Sequence, residues 1–132
     1  MISRILALSG LVILLTVNAF AAQGFKNYSP GFIQSELAAG KTVFVDYAAS
    51  WCSTCRTQER AINALRSQNP AYDKAMTFVR VDWDTYRNAK VTTSRSIPRR
   101  STLLVLRGNK ELGRVVAGTS KTQIKKLMDA GL

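Results

Sequence analysis

VFVDYAASWCSTCR, residues Val43–Arg56, is a strand that hands over to a helix. Val43, Phe44, Val45 and Tyr47 are β-branched or aromatic, Gly40 bounds them, and Lys41–Ala48 reads as a buried strand. Trp51-Cys52-Ser53-Thr54-Cys55 then leads into a helical pattern whose apolar face is Ala61, Ile62 and Leu65, and which Asn69-Pro70 stops. The cysteines therefore stand at C-x-x-C spacing where a helix begins. Residues three apart there share a face, so the two sulfurs can bond. The first cysteine meets the free N–H groups and the macrodipole of the helix start, which stabilise a thiolate. The second lies one turn further in, shielded, where it can attack a mixed disulfide formed at the first.

Working outward, Tyr28-Ser29-Pro30 opens a preceding helix, with Ser29 as expected N-cap, Phe32, Ile33 and Leu37 as apolar face and Gly40 as stop. Downstream, Met76–Val81 is a second strand, and Asp82–Thr93 is polar and reads as a loop plus a short helix. Thr102–Leu106 and Glu111–Ala117 are strands joined as a hairpin by Arg107-Gly108-Asn109-Lys110. Ser120 with Gln123 forms a capping-box pattern before a last helix that buries Ile124, Leu127 and Met128. The order αβαβαββα predicts an α/β protein, with parallel pairing early, an antiparallel hairpin late, and a mixed sheet of four to five strands flanked by helices.

The chain has 132 residues, 46% of them hydrophobic, which fits one domain of ordinary globular composition. The first 21 residues read as an address: Arg4, an apolar run Ile5–Val17, then Ala19-Phe20-Ala21 in A-x-A form. This is the layout of a secretory signal peptide cleaved after Ala21; an uncleaved anchor is the competing reading, since Ile5–Ala22 is 18 residues long, the lower limit for spanning. The expected domain is 22–132, which is 111 residues (132 − 21). Export implies an oxidising compartment, the periplasm, where two cysteines are most simply paired.

No His is present, which excludes a Ser-His-Asp triad, a Cys-His dyad and any His-containing zinc site. A zinc or iron–sulfur centre on the cysteines alone would need a second chain or outside ligands. Haem attachment needs His after the second cysteine, and Arg56 stands there. A purely structural role is weak, because so short a loop constrains the unfolded chain little.

In this setting, the WCSTC motif with its strand and the hairpin-plus-helix tail from Thr102 to Leu132 resemble the thioredoxin family over nearly all of Phe32–Leu132. The resemblance implies the thioredoxin fold and a dithiol–disulfide oxidoreductase needing no cofactor and no metal. In that family's terms Cys52 is the attacking thiolate and Cys55 the resolving thiol. Asp46, six residues before Cys52, is then the buried acid that moves the proton of Cys55. Its place between Val45 and Tyr47 in an apolar strand favours burial over a water-facing charge. Trp51 would shield the site and offer clients an apolar surface, or serve only packing, and Arg80 is a candidate partner of Asp46.

Two departures from the family stand out. Ser53-Thr54 replace the common Gly-Pro between the cysteines, so the redox potential does not carry over by analogy. Opposite the cysteines the family places a cis-proline whose preceding residue pairs with substrate. Ungapped alignment puts Ser101 there, after Arg100, with a trans bond expected; the alternative is Pro98, with a cis bond at Ile97-Pro98. Loss of the proline ring predicts cysteines that are less shielded. Arg99 and Arg100 add positive charge that favours a Cys52 thiolate.

The charge is +11, or +10 once Arg4 leaves with the leader, but most cations are scattered: Arg56, Arg60, Arg66, Arg80, Arg87, Arg95, Arg114. That suits solubility or steering toward acidic surfaces better than nucleic-acid binding, and no nucleic-acid partner is expected. The expected function is a monomeric periplasmic enzyme that reduces or isomerises disulfides in client proteins, with electrons from a membrane partner. The alternatives are a disulfide-donating oxidant, or a binding module that holds a metal, a cluster or a client.

Overall fold

The computed structural model describes residues 24–132. A five-stranded sheet carries the fold, ordered β1-β3-β2-β4-β5, with β1 Lys26–Asn27, β2 Thr42–Ala48, β3 Met76–Asp82, β4 Thr102–Arg107 and β5 Lys110–Val116. The helices are α1 Phe32–Ala38, α2 Ser53–Gln68, α3 Ala71–Ala75, α4 Trp83–Tyr86, α5 Lys90–Thr93 and α6 Lys121–Asp129. β1 and β2 each pair with β3 in parallel, while β4 pairs antiparallel with both β2 and β5. This is the mixed α/β sheet expected. Among the described residues no helix is long and apolar enough to cross a membrane. The expected signal peptide and its cut lie outside the described residues.

β2 is buried at every position because it is central and covered on both faces. Alternation then splits the core. Phe44, Phe78, Leu103 and Val105 face α2 and α6 and meet Ile62, Leu65, Ile124 and Met128. Val43, Val45, Tyr47, Val79, Val81, Leu104 and Leu106 face the other way, toward Ile33 of α1, with Trp83, Tyr86 and Val91 packed against them.

Local departures from the sequence reading have identifiable causes. Ser29 does not cap α1. Phe32 N–H donates to the Ser29 carbonyl at 3.0 Å, and Gly31 sits at φ 86°, so Ser29-Pro30-Gly31-Phe32 is a type II turn and the helix starts after it. Gly40 ends α1 as expected: at φ 80° its N–H reaches the Leu37 carbonyl, and the Lys41 N–H reaches that of Glu36, a full Schellman motif. β1 was not foreseen, being a two-residue edge strand with exposed side chains. Nor was α3: Asn69 ends α2, and its Oδ1 accepts the Ala71 N–H to start a further turn. Asp82–Thr93 holds two short helices rather than one, tied down where the Tyr47 hydroxyl donates to the Val91 carbonyl at 2.6 Å. Ser120 Oγ caps α6 by accepting the Gln123 N–H, while the Gln123 carboxamide lies against Gly118.

Candidate active site

The C-terminal end of β2 aims at the start of α2, and the cysteines stand at that junction. Cys52 is the N-cap of α2: its Sγ accepts the Cys55 N–H at 3.1 Å, so the sulfur takes the role an N-cap oxygen usually fills. Cys52 and Cys55 are bonded as a disulfide, with Cα atoms 5.3 Å apart. They pack with Ala48 and Ala49 in a small cluster against which Trp83 rests.

Ser101 occupies the position opposite the sulfurs. Its Oγ lies 3.2 Å from Cys52 Sγ and 3.1 Å from Cys55 Sγ. Pro98 is exposed, and the described residues contain no cis peptide bond, as expected if Ser101 holds the place. Cys52 and Cys55 are only 2% and 3% exposed. Ser101 is fully buried and fills the site without a ring. Its φ is 62°, a left-handed conformation that few non-glycine residues adopt. Three bonds hold it there: its N–H to the Tyr47 carbonyl at 2.8 Å, and its carbonyl accepting from Ala117 N–H at 2.8 Å and Gln58 Nε2 at 3.0 Å.

Asp46 is fully buried on β2, on the side that faces α2. Arg80, its register partner on β3, donates from Nη2 to Oδ2 at 3.0 Å, and the same nitrogen is 3.4 Å from Glu59 of α2. Oδ1 is buried with no hydrogen-bond partner. Burial raises the Asp46 pKa to about 6, opposed by the Arg80 charge and hydrogen bond and helped by Glu59. A cleft of about 380 Å³, lined by Ser50, Cys55, Arg56, Glu59, Arg80 and Asp82 among others, approaches the inner cysteine from the side.

Trp51 is 55% exposed and is therefore not core packing. Its indole N–H donates to Asp84 Oδ2 at 2.9 Å, and the Arg100 guanidinium stacks 4.7 Å from the ring centroid. The structure thus brings together Cys52, Cys55, Ser101, Trp51 and Arg100, with Asp46 and Arg80 behind them. Sequence reasoning missed Gln58, Glu59 and Asp84. A glutamine on the apolar stripe of α2, one turn after Cys55, was the available signal for Gln58; the other two are ordinary surface acids until the fold places them.

Fold and site define a thioredoxin-fold thiol–disulfide oxidoreductase with a Cys52–Cys55 redox pair. The sequence profile of the thioredoxin family matches residues 26–130, and the chain belongs to that family. It is 32% identical over 89 residues to thioredoxin H2 of Arabidopsis thaliana, covering 67% of this chain and 61% of that protein. Thioredoxin 1 of a Nostoc species is 27% identical over 101 residues, covering 76% of this chain and 90% of that one. The crystal structure of Trxlp from Edwardsiella tarda superposes with a TM-score of 0.66 at 28% identity, covering 79% of this chain and 98% of that one.

Proposed function

We propose that this protein is exported to the periplasm and there reduces or isomerises disulfides in client proteins, with a membrane partner supplying electrons. The observation that carries the exchange reading is the Cys52 sulfur standing as N-cap of α2, bonded to Cys55 and flanked by the exposed Trp51. Export is supported by Arg4, the apolar run Ile5–Val17 and Ala19-Phe20-Ala21. The reducing direction is supported by the likeness to thioredoxins.

In the reduced protein the Cys52 thiolate attacks a client disulfide. A Cys52–client bond forms, the client bond breaks, and one client thiolate leaves. Cys55 then loses its proton to Asp46, whose raised pKa of about 6 suits an acceptor working near neutral pH. The Cys55 thiolate attacks Cys52 Sγ, the internal disulfide forms, and the second client thiolate departs. Two electrons pass from protein to client. Trp51 and the Arg100 stacked on it provide the apolar and cationic surface a client meets first.

Cys52→Ser abolishes exchange, and Cys55→Ser accumulates mixed disulfides with clients, visible as thiol-sensitive adducts on non-reducing gels. Exchange retained by Cys52→Ser would sink the mechanism. A reduction potential of roughly −270 mV supports the reductase, whereas one of about −120 mV makes the protein an oxidant.

A further inference from the structure

We propose that the Ser101 hydroxyl is a catalytic hydrogen-bond donor that serves both sulfurs in turn, stabilising the Cys52 thiolate before the first attack and the Cys55 thiolate before the second. The inference rests on the dithiol-exchange reading above and adds a group to it.

The geometry is that of a built donor. Ser101 Oγ is nearly equidistant from the two sulfurs, at 3.2 and 3.1 Å, and the residue is fully buried. Three backbone-directed bonds, to Tyr47, Ala117 and Gln58, hold it in a left-handed conformation that serine seldom adopts. A serine hydroxyl has one proton and a free rotor. It can therefore donate to whichever sulfur carries the charge by turning about Cβ–Oγ, with no movement of the backbone. The Cys55 N–H donates to the Cys52 sulfur only. The hydroxyls between the cysteines are placed less well: Ser53 is exposed and Thr54 half-buried. A proline at position 101 would supply no donor at all.

The hydroxyl exchanges no proton and changes no stoichiometry. In the first step it donates to Cys52 Sγ while that sulfur attacks the client disulfide. Once Cys52 is bound in the mixed disulfide its charge is gone. The proton then swings to Cys55 Sγ, which has lost its own proton to Asp46 and attacks Cys52 Sγ, expelling the client thiolate.

The test titrates the Cys52 thiolate of the reduced mature protein by its ultraviolet absorbance, in wild type and in Ser101→Ala, Ser101→Gly and Ser101→Thr. Loss of a hydrogen bond to an ionised sulfur should raise the Cys52 thiol pKa by about one, a tenfold loss of thiolate below it. Ser101→Thr, which keeps the hydroxyl, should stay near wild type. Ser101→Gly suits the left-handed backbone and keeps the test available if the alanine variant fails to fold. Reaction with Ellman's reagent then releases one aromatic thiolate for each cysteine attack. Because a more basic thiolate is the better nucleophile, Ser101→Ala should slow both releases roughly threefold below the thiol pKa values and speed them above.

An unchanged titration, or slowing by the same factor at every pH, would show that Ser101 only packs, and would overturn the proposal. Slowing confined to the first release would overturn the two-sulfur role. If wild type fails to exchange with a protein disulfide while the Ser101→Ala titration shift persists, the client reading falls and the role of the hydroxyl stands.

Discussion

Asp46 shows what a single buried residue can impose. Its carboxyl has lost its water, has one oxygen unpartnered, and is held by Arg80 alone. Because its folded pKa of about 6 lies above the 3.8 of a free aspartate, the native state holds its proton more tightly than the unfolded chain. Stability therefore falls as pH rises from about 3.8 to about 6, and the full penalty persists above that window. Asp46→Asn should stabilise the oxidised protein by roughly 2–3 kcal/mol at pH 8 and by little at pH 3, read from urea midpoints. The same variant should slow resolution of the mixed disulfide near neutral pH. Asp46 was marked by the resemblance, six residues before Cys52, and its place between Val45 and Tyr47 in an apolar strand favoured burial over a water-facing charge. The conformation of Ser101 was not: its φ of 62° follows from bonds to residues 47, 58 and 117, far off in the chain.

Elements are where local sequence signals were strongest and where their competition shows. Ser29 is a sound N-cap by composition, but Pro30-Gly31 is a stronger turn signal, and the turn displaced the cap. The helix stop at Gly40 and the cap at Ser120 held because nothing nearby competed. α2 carries the less visible device. Gln58, fully buried, donates from Nε2 to the carbonyls of Ser101 and Gly118, both at 3.0 Å, and so ties the helix bearing Cys55 to the segment opposite it. Gln58→Leu should leave the Gly118 carbonyl unpaired and loosen Ser101. The expected loss is about 2 kcal/mol in denaturant unfolding, with the disulfide intact. Faster hydrogen exchange at Ser101 and Ala117 should accompany it. An unchanged midpoint would show that water replaces the amide without penalty.

At the scale of the molecule, the two faces of β2 do different work. One face packs Phe44, Ile62, Leu103 and Ile124 beneath α2 and α6, and so sets the height at which the cysteines stand. Phe44→Ala should destabilise by about 3–5 kcal/mol with thiol chemistry unaltered in the molecules that remain folded. The proposed export is tested on the whole chain as well: the mass of the protein recovered from expressing cells should correspond to residues 22–132, and a mass retaining residues 1–21 would favour a membrane anchor. The excess of cations is partly structural. Arg66 is buried against Asp73 at 2.6 Å, and Arg80 serves Asp46 and Glu59, so part of what looks like surface charge is fixed inside the fold.

The sequence by itself determined the α/β order and the redox pair, because strand period, helix stops and the C-x-x-C spacing are local properties that a few neighbouring residues settle. It also favoured burial of Asp46, the acid the family resemblance marks, because a charge in an apolar strand is anomalous within one segment. Tertiary structure alone decided that Ser101 faces both sulfurs, that the cysteines are sealed without a proline ring, and that Gln58, Glu59 and Asp84 belong to the site. Those relations join residues from 21 positions apart (Glu59 and Arg80) to 60 (Gln58 and Gly118) through sheet register and helix packing, and no local pattern along the chain records them.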